Sequence, residues 1–443
     1  MFKIFANAWR VEDIRRKLLF ILLLLLIFRF GSHLPLPGID LQLLDALSSP
    51  GALDQGVGMT LFSLITGGGL ASVFAMGIAP YITASIIMQL LTYAIPKFSE
   101  MKKEGEDGQK KLQKITRYMA VVLAALQAAA TVFSYTNLNT QFGQVNLFRM
   151  ELQGFFVYAV ATIAMVTGTI FIMWLAELIT EKGIGQGASF LIFANILAAL
   201  PMGVMTLWSM VAERPLSGII QVVILLVVFI LIIAFVVRVH EGERRIPVQY
   251  SRKGGLKDGV APQSHLPIKV NIAGVLSIIF AMSLLQFPMQ IAMFFPPVQG
   301  ADPRFIDHVI AWLNFTHPFG AVLYIVLIFM FTHFYTSFAV NPREMAENLK
   351  KNGGFIAGIR PGEETTKFIQ KTVNRLAWIG AVFYSIIAVT PILLDVAISF
   401  FAETDMQLHF GGTSLLIVTG VALEFVKQLE SQLLMRHYKG FLS

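Results

Sequence analysis

A chain of 443 residues that is 56% hydrophobic and only 14% charged, with a mean hydropathy of +0.69, is a polytopic membrane protein, which excludes the soluble enzyme classes. Cysteine is absent, so disulfides, thiol nucleophiles and Cys-ligated metals are excluded as well. The net charge of +7 matters less than where along the chain the charge falls.

Ten candidate spans follow in order: 18–34, 70–95, 118–135, 155–175, 188–208, 218–237, 270–295, 319–340, 376–400 and 408–426. The first follows Arg15-Arg16-Lys17 and could pass for a signal peptide. Arg29 interrupts it, and no small-residue cleavage site comes before Pro35 and Pro37, so it reads as a retained span. Between the first and second spans, Thr60 to Thr66 is apolar but far too short to cross, and Gly67, Gly68 and Gly69 permit a sharp turn after it. An interrupted helix at membrane depth is tolerated only where protein buries it or where it lines a cavity. In the charge-free second span, Ile78, Ile82, Ser85, Gln89 and Thr92 recur at steps of 4, 3, 4 and 3, which places them on one helical face. That face is either a packing surface or the wall of a water-filled funnel narrowing to isoleucine.

With the N-terminus inside, thirty of the 34 lysines and arginines fall in inner segments and only Arg149, Arg214 and Arg304 in outer ones, so both termini are expected to be cytoplasmic. Ten spans then divide into inverted halves of five, residues 1–217 and 218–443. In inverted repeats, Gly- or Pro-interrupted spans at matching positions mark the working site. The second span carries Gly77 and Pro80, and its counterpart, the seventh, carries Gly274 and Pro288. The site is expected between them.

Ion-coupled carriers bury carboxylates or a His relay near the midplane. Here Glu177, Glu424 and Arg238 lie near cytoplasmic span ends, and His333 is the one ionisable group deep in a span, read as a packing residue. No HExxH-type spacing, carboxylate pair or Ser/Lys constellation suggests an intramembrane enzyme, and no Gly-x-x-x-x-Gly-Lys phosphate loop occurs. No cofactor is expected. Two inner loops, 238–269 and 341–375, are basic. In the first, Arg244 to Tyr250 alternates like a strand ahead of Gly254-Gly255, which predicts a hairpin. In the second, Pro361 holds Arg360 extended among glycines that shape a tip. Such loops either enforce topology or form a docking platform for an acidic protein face or RNA phosphate.

Several stretches in order and spacing resemble the SecY family, the central subunits of bacterial protein-conducting translocons. They are Phe28-Arg29 with Pro35-Leu36-Pro37-Gly38, the Gly67-Gly68-Gly69-Leu70 break, Pro80 to Ile87, Lys102-Lys103-Glu104-Gly105-Glu106 and Glu181 to Gly185. Further along come Arg244-Arg245-Ile246-Pro247, His265 to Asn271, Asn341-Pro342-Arg343-Glu344, Gly358 to Gly362 and Phe410 to Leu416. The resemblance covers essentially the full chain. It implies an all-α polytopic fold of ten transmembrane helices, in two halves that open sideways, with a short re-entrant plug helix.

Carried over by motif, it implies a constriction of Ile78, Ile82, Ile192, Ile279 and Ile417. The plug would lie at about 60–70 with Leu61, Phe62, Leu64, Ile65, Gly67, Gly68 and Gly69. The lateral gate would hold Thr83, Ser85, Gln89, Asn271 and Phe287. Motor or ribosome docking would fall to Arg244, Arg245, Arg252, Lys253, Arg343 and Arg360. Ala188 stands where relatives often have another isoleucine, Thr66 precedes the glycines where serine is usual, and Ala357 replaces a common proline. The partners implied are SecE- and SecG-type small membrane subunits, a SecA-type ATPase motor, the ribosome with its RNA, signal sequences and nascent polypeptides, and anionic lipids, all at the bacterial plasma membrane. The residues alone leave a secondary transporter of a small apolar solute as the competing reading.

Overall fold

The computed structural model describes residues 2–43, 71–136, 138–140, 143–149, 154–213, 215–250, 264–292, 305–313, 317–402 and 412–439. The expected plug segment and Arg252-Lys253 lie outside them. In chain order the N-terminal helices are α1 (Phe2–Arg10), α2 (Glu12–Gly31), α3 (Ala79–Ala94), α4 (Pro96–Lys103), α5 (Glu106–Thr136), α6 (Phe155–Lys182) and α7 (Gly187–Glu213). The rest are α8 (Pro215–His240), α9 (Leu276–Ala292), α10 (Phe305–Leu313), α11 (Pro318–Ala339), α12 (Pro342–Lys351), α13 (Glu363–Ala402) and α14 (Gly412–Lys439).

Each of the ten apolar stretches thus holds a helix. Among the described residues, six helices are long and apolar enough to cross a membrane, and 276–291 forms a shorter apolar one. Their outer faces stay uncovered: Ile219, Ile220, Val223, Ile224, Ile230 and Leu231 on α8 are exposed, as expected of a helix whose solvent is lipid.

The second span departs from its sequence reading, because helix begins only at Ala79 and residues 71–78 are turns. Gly77 takes a φ of +52°, and Pro80 sits in the first helical turn, where its missing N–H is no loss. Ile78 therefore caps α3, and its carbonyl accepts the Ile82 N–H at 3.1 Å. The turns are pinned from both sides. Leu36 N–H donates to the Ala71 carbonyl and Val73 N–H to the Leu34 carbonyl, both at 2.9 Å, while Ala71 N–H donates to Tyr135 Oη at 3.2 Å. Gly168 lets α6 press against them, since a Cβ there would run into the Val73 carbonyl. We therefore expect Gly168→Val to destabilise the protein by about 1–3 kcal/mol in detergent thermal unfolding, whereas Gly154→Ala, whose Cβ position is open on extended backbone, should cost less. Gly274 repeats the device ahead of α9, with a φ of +62°.

Helix contacts sort the chain into two groups. On one side α2 packs on α6, α3 on α5, α5 on α6 and α6 on α7; on the other α8 packs on α14, α9 on α11, α11 on α13 and α13 on α14. The groups meet through α1 against α14, through α7 against α8 and α14, and through α3 and α5 against α9.

The two basic loops are joined more closely than the sequence suggests. The predicted hairpin forms from β3 (Glu243–Tyr250) and β4 (Ser264–Lys269), following the short pair β1 (Leu138–Thr140) and β2 (Gly143–Val145), with Ile246 opposite Leu266. A third strand from the other loop, β5 (Gly354–Ile356), pairs with β3 at Val248 and Ile356. Ile246, Val248, Ile268 and Ile356 bury one side of this sheet against Leu349, Ile369 and Val373 of α12 and α13. Two loops nearly a hundred residues apart thereby become one rigid platform.

Candidate functional site

Ile78, Ile82, Ile192, Ile279 and Ile417 come from four helices and the cap of α3, and all fall in one buried apolar cluster. None is more than 8% exposed. Ile184 belongs to the same cluster and Ala188 packs against it half-buried. A cavity of about 640 Å³ opens from this cluster toward the basic loops. Its walls carry Ile192, Ile279 and Ile417, while Lys269, Glu424, Lys427, Gln428 and Ser431 supply polar and charged lining. The lining is thus polar and charged on one side and branched-apolar where it meets the cluster.

Along α3, Ser85, Gln89 and Thr92 follow Ile82 on one face, and none of the three is among the residues lining the cavity. Gln89 Nε2 donates to Ser85 Oγ at 3.3 Å, and Gln89 Oε1 is buried with no partner among the described residues. Thr92 Oγ1 turns back to the Met88 carbonyl at 2.7 Å. Asn271 precedes α9 at the funnel mouth. Its Nδ2 donates to His240 Nδ1 at 2.8 Å and its Oδ1 accepts the Gly274 N–H at 2.8 Å, which fixes the turn into α9. His333 packs edge-on against Trp378 with ring centroids 4.9 Å apart.

The seam between the groups is held by few side chains, and the sequence reading did not pick out most of them. Toward one end, Gln127 Nε2 of α5 donates to Gln290 Oε1 of α9 at 2.7 Å. Toward the other, Tyr93 of α3 meets Phe334 of α11 edge-to-face at 5.5 Å, and Lys102 Nζ lies 3.3 Å from the Phe338 ring centroid. Burial lowers the Lys102 pKa from its ordinary value, because desolvation disfavours the ammonium. The two glutamines were legible as amides in apolar spans, which hydrogen-bond across helices. The aromatic pair carried no such signal. Thr83 is half-buried on α3, donating to the Ala79 carbonyl at 3.1 Å, and Phe287 on α9 is 36% exposed.

Of the docking residues, Arg244 and Arg245 are exposed on β3, and Arg343 is exposed in the first turn of α12. Arg245 lies 3.9 Å from Glu243 and Arg343 3.4 Å from Glu347. Arg360 is exposed between Gly358 and Gly362, whose φ values are +80° and +110°. Its carbonyl accepts from Thr365 Oγ1 at 2.9 Å, so the loop is shaped by its backbone while the guanidinium has no ion pair among the described residues.

A multi-pass helical bundle with a polar-lined cavity ending on branched apolar side chains, beside a seam held by a few polar and aromatic contacts, is the architecture of a membrane channel. The chain belongs to the SecY family, whose model matches residues 72–426. It is 41% identical over 450 residues, covering all of both chains, to the protein translocase subunit SecY of Halalkalibacterium halodurans. The fold is shared with a solved SecY translocation channel, described for a plug domain that stabilises its closed state, at a TM-score of 0.62 and 18% identity over 92% of this chain and 90% of that one. It is also shared with Sec61 of a canine ribosome–channel complex, at a TM-score of 0.62 and 16% identity over 93% and 90% of the two chains.

Proposed function

We propose that the protein is a passive protein-conducting channel of a bacterial plasma membrane, with ten spans in two inverted halves and both termini cytoplasmic. It passes unfolded secretory chains through the isoleucine neck and releases signal sequences and membrane helices through the seam. The observation that carries this is the funnel meeting the five-isoleucine cluster. Branched apolar side chains give a moving backbone no fixed hydrogen-bond partner and therefore little sequence preference. At rest such a neck dewets and obstructs ions, aided by a plug at about 60–70. A signal helix reaching the seam gains about 0.8 kcal/mol for each methylene it places in lipid. Proteoliposomes test the reading: an unfolded precursor should cross only when a motor or ribosome is supplied. Uptake of a small solute down an ion gradient, without precursor transport, would contradict it.

The driving partner docks on the sheet platform and the Arg360 tip. A SecA-type ATPase and the ribosome both fit a basic, rigid surface, and SecE- and SecG-type subunits would brace the halves. We expect Arg360→Glu to cripple motor-driven transport while shifting stability by about 0.5 kcal/mol or less, since the residue is exposed. Transport assays beside detergent melting check this; unfolding would make Arg360 structural.

A further inference from the structure

The corner between α3 and α4 reaches across the seam to α11. Ile95 is extended, with a φ of −108°, as suits the residue ahead of Pro96, so α3 stops there and the chain restarts as α4. Tyr93, just before the break, meets Phe334 edge-to-face at 5.5 Å. Lys102, in the last turn of α4, lies 3.3 Å from the Phe338 ring centroid. Phe334 and Phe338 are one turn apart on α11 and stack on each other with centroids 6.5 Å apart. Phe338 is backed by Tyr335 at 6.4 Å, and Tyr335 by Phe280 at 6.2 Å, the buried neighbour of Ile279 in sequence. Neither cross-seam contact is imposed by a core. Tyr93 is 74% exposed. Lys102 is exposed as well, and Glu100 and Glu104 lie two residues to either side of it, yet among the described residues its ammonium sits on a ring and in no ion pair.

We propose that Tyr93, Lys102, Phe334 and Phe338 form a clasp that sets how apolar a signal helix must be before the channel admits it, which makes them specificity-determining residues. The proposal rests on the lateral exit proposed above. A seam that parts between α3 and α9 carries the α3–α4 corner away from α11 and breaks both contacts, so their strength enters the opening equilibrium directly. The cation–ring contact is worth roughly two- to fivefold in that equilibrium, and the edge-to-face pair about as much. A signal helix gains about fourfold for each methylene it places in lipid. Each contact therefore offsets about one methylene of the signal. None of the four residues lines the cavity, so they act on the opening of the seam and not on the passage of the chain.

The full chain, purified with its co-purifying membrane subunits, is reconstituted with a motor. Transport is compared for a precursor with its parent signal and for one in which a leucine of the signal's apolar core is replaced by valine. The readout is the ratio of weak-signal to parent-signal transport, which cancels differences in the amount of folded channel. Lys102→Met and Phe338→Leu should each raise that ratio roughly two- to fivefold. Together they should do no more than Phe338→Leu alone, because both delete the same contact, whereas adding Tyr93→Leu should raise it further. Lys102→Arg and Phe338→Tyr, which keep the cation and the ring, should restore the parent ratio, and Lys103→Met, which removes the neighbouring charge, should not move it. An unchanged ratio in Lys102→Met and Phe338→Leu, full additivity of those two, or an equal rise in Lys103→Met would overturn the clasp alone. Failure of the parent-signal precursor to cross unsubstituted channels would overturn the functional reading, and the clasp with it.

Discussion

Replacing Ile78 and Ile82 together by serine is expected to raise the resting ion conductance of reconstituted channels roughly tenfold or more. The two are one helical turn apart at the start of α3, linked by the Ile82 N–H to Ile78 carbonyl bond, and both face the cluster that closes the funnel. Two hydroxyls there give water partners inside the neck. Each 1.4 kcal/mol removed from the barrier is a factor of ten in rate, and an apolar collar that no longer dewets loses more than that. Ile224→Ser, on the exposed face of α8, should leave the current unchanged. Single-channel currents indistinguishable from the parent in the double variant would remove the constriction from these residues.

Locking the seam should abolish transport. Thr83 adjoins Ile82 on α3, and Phe287 lies eight residues, about 12 Å of rise, beyond Ile279 on α9, on helices that touch. From the sequence alone, with the span begun at Leu70, the two levels differ by roughly 8 Å. The chain has no native cysteine, so Thr83→Cys with Phe287→Cys gives a clean pair. A short crosslink should block precursor translocation, reduction should restore it, and a long flexible linker should preserve some activity. Efficient short crosslinking with undiminished translocation and signal insertion would place the exit elsewhere.

Much of this site is legible before any coordinates, for physical reasons. Isoleucines at helical spacing and a glycine in each of the second and seventh spans are local features, so Gly77 and Gly274 announce the turns that precede α3 and α9. The start of α3 was misplaced because residues 70–78 are as apolar as a helix would be. What stops the helix is a set of backbone bonds from Leu34, Leu36 and Tyr135, which no window of sequence contains. The joining of β5 to β3, and the meeting of Tyr93 with Phe334, are likewise pairings between distant segments. Hydropathy reports burial in lipid or protein without saying which, and so the partner of an exposed aromatic stays hidden.

The central claim is that a polypeptide in transit threads the isoleucine neck. A precursor with a folded, disulfide-locked tail is stalled midway by the motor in proteoliposomes, carrying a cysteine-reactive probe at the position calculated to lie in the membrane. Channels bear one cysteine each, at Ile82, Ile279 or Ile417, or at the lipid-facing Ile224 as the control. The account predicts crosslinks to all three neck positions and none to Ile224. A stalled, protease-protected chain that crosslinks to none of the neck positions would contradict it.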